Sequence, residues 1–238
     1  MAEQQVKEPR QGLLSTLLSL IGRTFGVLVV SLILSIIIEW VGMTWFWPDQ
    51  GALHSKQMML QEVQYFSTHF TQSILHSDPI VFAQQTMDTV NHYVFVKTGL
   101  LNWLNNAQVS MKLNHSVFMV IRGYIEAIIY ITMTFIIRLL ILFFTSPLFI
   151  LVTVVGFTDG LVRRDLRRFG YGYESSFMYH HAKRAILPLL ISSWMLYLSL
   201  PFSIYPNLLL IPAAFLVGTE ISIIKLFSFL SLKKKAGI

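Results

Sequence analysis

Long apolar runs alternate along this chain with short polar segments, and the lengths of the runs set its architecture. A bilayer span needs roughly 20 mostly apolar residues to cross a hydrocarbon core of about 30 Å. Four stretches approach or meet that length: 24–44, 139–158, 186–200 and 208–227. The third is short and bounded by Pro188 and Pro201. It can tilt, begin one turn earlier, or pair with the fourth as a hairpin across the turn 201–207.

Between the first two runs the rhythm changes. Met59, Val63, Phe66 and Phe70 recur at steps of three and four, the spacing of one helix face. Ser77-Asp78-Pro79 supplies a cap and a proline start for a second helix, with Ile80, Ala83, Met87, Val90 and Val94 on one side. Gly99 ends or bends it. A further apolar segment, Leu100 to Ala107, leads into 117–137, which is long enough to extend the second span outward as one helix. Nothing alternates strongly enough for a sheet, and no repeat, low-complexity tract or glycine-rich phosphate loop occurs.

Composition agrees with lipid as part of the solvent. The chain has 238 residues, 54% hydrophobic and only 13% charged, too apolar for an ordinary soluble domain. The absence of cysteine excludes disulfides, thiolate metal sites and a cysteine nucleophile. The first apolar run is longer than a signal-peptide core, begins after more than twenty residues and ends in Glu-Trp-Val-Gly-Met-Thr-Trp-Phe-Trp-Pro instead of small residues, so it reads as a retained anchor.

Lysine and arginine beside the spans orient the chain. Lys7, Arg10 and Arg23 lie in the tail 1–23, Lys233, Lys234 and Lys235 in the tail 228–238. Arg163, Arg164, Arg167, Arg168, Lys183 and Arg184 lie in the connection 159–185. These three segments belong in the cytoplasm. The longer region 45–122 holds only Lys56, Lys97, Lys112 and Arg122, the turn 201–207 none, and both face outward. Trp40, Trp45 and Trp47 crowd the outer end of the first span, where aromatic belts sit. The expected fold is an all-α membrane protein with four transmembrane helices, a small helical periplasmic region and an amphipathic basic cytoplasmic connection.

Ionisable residues within spans are the usual carriers of transport chemistry. Glu39 and Arg138 fall at similar depth and are expected to form a structural ion pair. Glu220 lies deeper, with Lys225 beyond it. A proton-relay role for Glu220 competes with a carboxyl hydrogen-bonded to Ser192, Ser193 or Tyr197. A small transporter or channel subunit using Glu39, Arg138 and Glu220 is the alternative function. It lacks the broken helices and midplane polar residues of most transporters.

The segment Asp159 to Arg184, DGLVRRDLRRFGYGYESSFMYHHAKR, concentrates the charge. On a helical wheel Arg163, Arg164, Arg167 and Arg168 fill one arc, and Leu161, Val162, Leu166 and Phe169 the other, with Asp165 among them. Thr158 or Asp159 can cap this basic helix and Gly170 can end it. Glu174-Ser175-Ser176 can start another helix carrying His180, His181, Lys183 and Arg184. Anionic lipid headgroups are one partner for such a surface, at about 1 kcal/mol per basic residue. A protein docking on the arginine forks is another. Adjacent histidines point about 100° apart on a helix, a poor chelate, and those at 54, 69, 76, 92 and 115 are scattered. No metal or other cofactor is expected. No nucleophile elbow accompanies the serines, and no convergent polar set suggests an enzyme. The arginines lack the interleaved aromatics of a single-strand binder, so direct nucleic-acid contact is not expected.

The order DGLVRRDLRRFG, YGYESSF, MYHHAKR, after one long span and before a proline-containing one, resembles a family of integrating conjugative element membrane proteins of unknown molecular function. Tyr171 and Tyr173 stand where that family is more glycine-rich and carries an arginine. The resemblance implies a bacterial inner-membrane component of a conjugative type IV secretion system, similar to proteins encoded beside the coupling ATPase. It implies no catalytic residue. The expected partners are other conjugation or secretion membrane proteins, the coupling ATPase among the candidates. They would dock on Arg163, Arg164, Arg167, Arg168, Glu174, His180, His181, Lys183 and Arg184. Homo-oligomerisation is left open.

Overall fold

The computed structural model describes residues 13–71, 73, 75, 77–104, 115–167 and 176–235. Every regular element described is helical. α1 is Leu13–Trp45, α2 Ala52–His69, α3 Pro79–Val90, α4 His115–Arg167, α5 Ser176–Ser199 and α6 Pro206–Lys235. A π-helical turn, Asn91–Val96, extends α3, and Gly99 then takes a φ of 76°, a left-handed conformation that glycine adopts without steric penalty.

Among the described residues three helices are long and apolar enough to cross a membrane, within Ile21–Trp45, Val117–Leu166 and Pro206–Ile223. The apolar part of α5, Arg184–Ser199, is shorter. Pro188 does not bound it, because α5 starts at Ser176 and runs through the proline. α4 is the spine, 53 residues in one helix and so roughly 80 Å long. Pro147 lies inside it. A proline has no N–H for the carbonyl four residues back, here that of Phe143. The Ser146 hydroxyl donates to that carbonyl at 2.7 Å, which lets the helix continue. α4 also absorbs the basic segment expected to be a separately capped helix. Thr158 bonds back to Val155 and Asp159 bonds forward to Arg163, so neither caps a new start. Gly170, Tyr171 and Tyr173 lie outside the described residues.

α5 and α6 form a hairpin packed along α4. At one end the α5–α6 turn meets Arg138; at the other Ser222 of α6 meets Asp159, so α4 and α6 run parallel. Between these points the helices touch backbone to backbone. A Cβ on Gly156 would overlap the Gly218 carbonyl, and one on Gly218 would overlap Val152.

α2 doubles back from the end of α1. The expected face of Met59, Val63, Phe66 and Phe70 does pack on the core. The most buried stripe is turned about one residue from it, through Ser55, Met58, Glu62, Tyr65 and Phe66. Phe66, Phe70 and Phe82 gather around Phe144 of α4, at ring separations of 5.7, 6.1 and 6.1 Å. This aromatic cluster fastens α2 and α3 to the spine.

Candidate functional site

Two polar centres flank the segment of α4 that carries no ionisable residue, 139–158. The first is Arg138. Its side chain is 2% exposed and pairs with Glu62 of α2, which is fully enclosed, at 3.0 Å. The guanidinium also donates to the carbonyls of Tyr197, Leu200 and Phe202 at 3.3, 2.6 and 2.8 Å. A helix leaves its last carbonyls without intrahelical donors and carries partial negative charge there. Arg138 therefore caps α5 while it holds α2. Ser203 adds a bond to the same Glu62 oxygen at 3.2 Å. Burial pushes the Glu62 carboxyl above its ordinary range, and Arg138 draws it only part of the way back.

The expected pair of Glu39 with Arg138 does not form. Glu39 accepts from Ser55 at 2.6 Å and bonds His54 at 2.9 Å, both on the first turn of α2. Trp47 stacks on His54 with ring centroids 4.1 Å apart, and its ring fills the space beside Gly42. That tryptophan locks the α1–α2 reversal, whereas Trp40 and Trp45 stay exposed. The physical reason is chain geometry. The tight turn after α1 brings the start of α2 within reach of Glu39, so a near neighbour in sequence claims the carboxylate and Glu62 is left to meet Arg138.

Glu62 was missing from the sequence expectation. The available signal was a carboxylate set one step from the apolar face of α2, between Met58 and Phe66, where a solvent-facing residue would be out of place. Glu220 is half-buried and takes none of its three expected partners. Ser192 and Ser193 bond back to the carbonyls of Leu189 and Leu190, and the Tyr197 hydroxyl is buried with no partner.

The second centre lies near the C-terminal end of α4. Asp159 accepts from Ser222 at 2.6 Å and pairs with Arg163 at 2.9 Å. Arg163 nonetheless stays 62% exposed, and Arg164 contacts Asp165 at 3.4 Å. Arg184 is exposed on α5. Arg168 and Glu174 lie outside the described residues, as do the side chains of Arg167, His180, His181 and Lys183. The structure thus joins Arg163 to Asp159, and Asp159 to Ser222 of α6, two residues absent from the expected site.

No curated protein and no solved structure matches the chain. A family model described as IncC plasmid conjugative DNA transfer protein DtrJ-like matches residues 46–227, from the end of α1 to deep within α6 and across both polar centres. The conjugation association expected from the basic segment is thereby shown, and the chain belongs to the DtrJ-like family of conjugative DNA transfer proteins.

Proposed function

We propose that this protein is a non-catalytic inner-membrane scaffold of a conjugative type IV secretion system. In this reading α1, α4, α5 and α6 all cross the bilayer, both chain ends and the arginine-bearing end of α4 face the cytoplasm, and α2 and α3 lie outside. The basic end docks a protein of the transfer machinery, with the coupling ATPase as the leading candidate.

The observation that carries the reading is the spacing of the two polar centres. Arg138 and Asp159 stand about 21 residues apart on one helix, which is roughly 32 Å at the helical rise. That separation fits a hydrocarbon core of about 30 Å. The α5–α6 hairpin is closed by Arg138 at one end of that interval. α2 and α3 lean over its outer edge, Phe66 and Phe82 reaching Phe144. A transporter is less well supported at Glu39 and Arg138, which are almost wholly enclosed and bonded within the protein; of its three charges Glu220 alone is half-buried and makes none of the expected bonds. Lipid attraction alone would ask only for positive charge, whereas this end mixes Asp159, Asp165 and Glu174 with its arginines, a pattern suited to a partner with both signs of charge.

Reversing Arg163, Arg164, Arg167 and Arg168 to glutamate tests the docking. The expected result is loss of co-purification with transfer proteins and loss of mating at an unchanged membrane level of the variant. Wild-type transfer under those conditions removes the proposal.

A further inference from the structure

A groove of about 320 Å³ runs between α4 and α6 beside the polar centre at Asp159. Val152, Val155, Phe215 and Ile223 give it apolar walls. Gly156 and Gly218 also line it, at the place where the two helices touch backbone to backbone. Arg163 and Asp159 stand at its polar end. Asp159 engages Arg163 through Nε. A guanidinium has five N–H donors in a rigid fork, so four remain for an anion at the groove mouth.

We propose that this groove binds one anionic phospholipid, an acyl chain lying against Val155 and Phe215 and the phosphate meeting Arg163. The inner-leaflet placement rests on the orientation proposed above; the groove chemistry does not. Basic pockets between helices at the cytoplasmic surface are suited to lipid headgroups. A free phosphate would leave the apolar walls unused. Charge complementarity favours an anionic headgroup over a neutral one, because the last turns of α4 and the residue after them carry four arginines against two aspartates. Such a lipid would fix the end of α4 at the membrane surface and so set the direction in which Arg164 and its neighbours face a partner.

The test uses the full chain in lipid nanodiscs of phosphatidylcholine containing a photoactivatable phosphatidylglycerol, with adducts mapped by mass spectrometry. Adducts should concentrate on 152–163 and 215–223. Unlabelled phosphatidylglycerol should compete for them, while added phosphatidylcholine and inorganic phosphate should not. Arg163→Gln should weaken the competition roughly fivefold, the factor equivalent to one basic contact at the surface. Val155→Trp fills the groove from its exposed side and should abolish those adducts, while labelling of the exposed α1 residues Val29 and Ile33 persists as the sign of an intact fold. Uniform labelling of all apolar faces, indifference to both variants, competition by inorganic phosphate, or crosslinks between two protein copies at Phe215 in place of lipid adducts would each overturn the proposal. Nanodiscs expose both membrane faces, so the readout is independent of orientation in the cell. Failure here leaves the docking proposal standing, and a reversed orientation leaves the groove result standing.

Discussion

Arg138 on α4 donates from Nε to Glu62 on α2 at 3.0 Å, across 76 positions of sequence, and with its remaining amines caps the C-terminal end of α5. One side chain therefore ties three helices. Removing one partner of a buried ion pair leaves an uncompensated charge and typically costs about 3–5 kcal/mol. Arg138→Met is expected to reach that range, read as a lower unfolding temperature in detergent and faster proteolysis between α2 and α4. Glu62→Gln should be milder, because an amide oxygen still accepts from the guanidinium and the α5 carbonyls still offset its charge. The double variant Glu62→Met with Arg138→Met should recover only part of the loss, since the three carbonyls stay uncapped. Full recovery would show that the α5 cap contributes nothing.

The Glu62 carboxyl adds a pH signature. Burial raises its folded-state pKa above the ordinary carboxylate value, with Arg138 and Ser203 opposing. For a raised acid, the folded state holds its proton more tightly than the unfolded chain. Its contribution is then fully present below the ordinary value and is lost as pH rises through the raised one. Stability of the wild type relative to Glu62→Gln should accordingly fall between acid and neutral pH. Arg138→Met, which removes the opposing charge, should steepen the fall. A difference that grows with pH in favour of the wild type would contradict the desolvation account.

The helices themselves were legible in the apolar runs, because lipid-facing and core-facing surfaces both require apolar side chains and leave an unbroken signal. The polar contacts were less so. Glu39 and Arg138 were readable as enclosed charges from their positions in apolar sequence, but their partners depended on how sharply the chain reverses after α1, which periodicity does not encode. Glu62 was hidden because α2 is amphipathic and a carboxylate on such a helix ordinarily faces water. The continuity of α4 past Asp159 was obscured by a plausible capping residue. Asp159 turned out to serve Ser222 and Arg163, a contact set by the close approach of Gly156 and Gly218.

That close approach is itself testable. Gly156→Ala puts a methyl group against the Gly218 carbonyl, where backbone has little freedom to move. Overpacking of this kind costs typically about 1–3 kcal/mol. Gly218→Ala meets the Val152 side chain instead and should be the gentler of the two, because a side chain can rotate away. Thermal unfolding of both variants in one detergent decides the order. Equal tolerance would mean that α4 and α6 lie further apart than described.

At the α1–α2 reversal, Glu39→Leu strands the Ser55 hydroxyl, which is fully enclosed, and removes the bond to His54. A buried polar group left unsatisfied costs about 1–3 kcal/mol. Glu39→Gln keeps an acceptor for Ser55 and should lose less. Adding Ser55→Ala to Glu39→Leu should restore part of the stability, because no orphaned hydroxyl remains. A double variant less stable than Glu39→Leu alone would place the importance of Ser55 elsewhere.

The absence of cysteine makes the chain suited to mapping which side each polar centre occupies. Single cysteines at Leu53 and Tyr205, both exposed on the side of Arg138, and at Leu166, exposed beyond Asp159, can be challenged in intact cells with a maleimide that does not cross the inner membrane. The positive-inside distribution of lysine and arginine predicts labelling at Leu53→Cys and Tyr205→Cys. Leu166→Cys should label only after the inner membrane is opened. Labelling of all three in intact cells would mean that α4 does not cross between Arg138 and Asp159. Labelling of Leu166→Cys alone would invert the chain and remove the proposed cytoplasmic docking, whatever its chemistry.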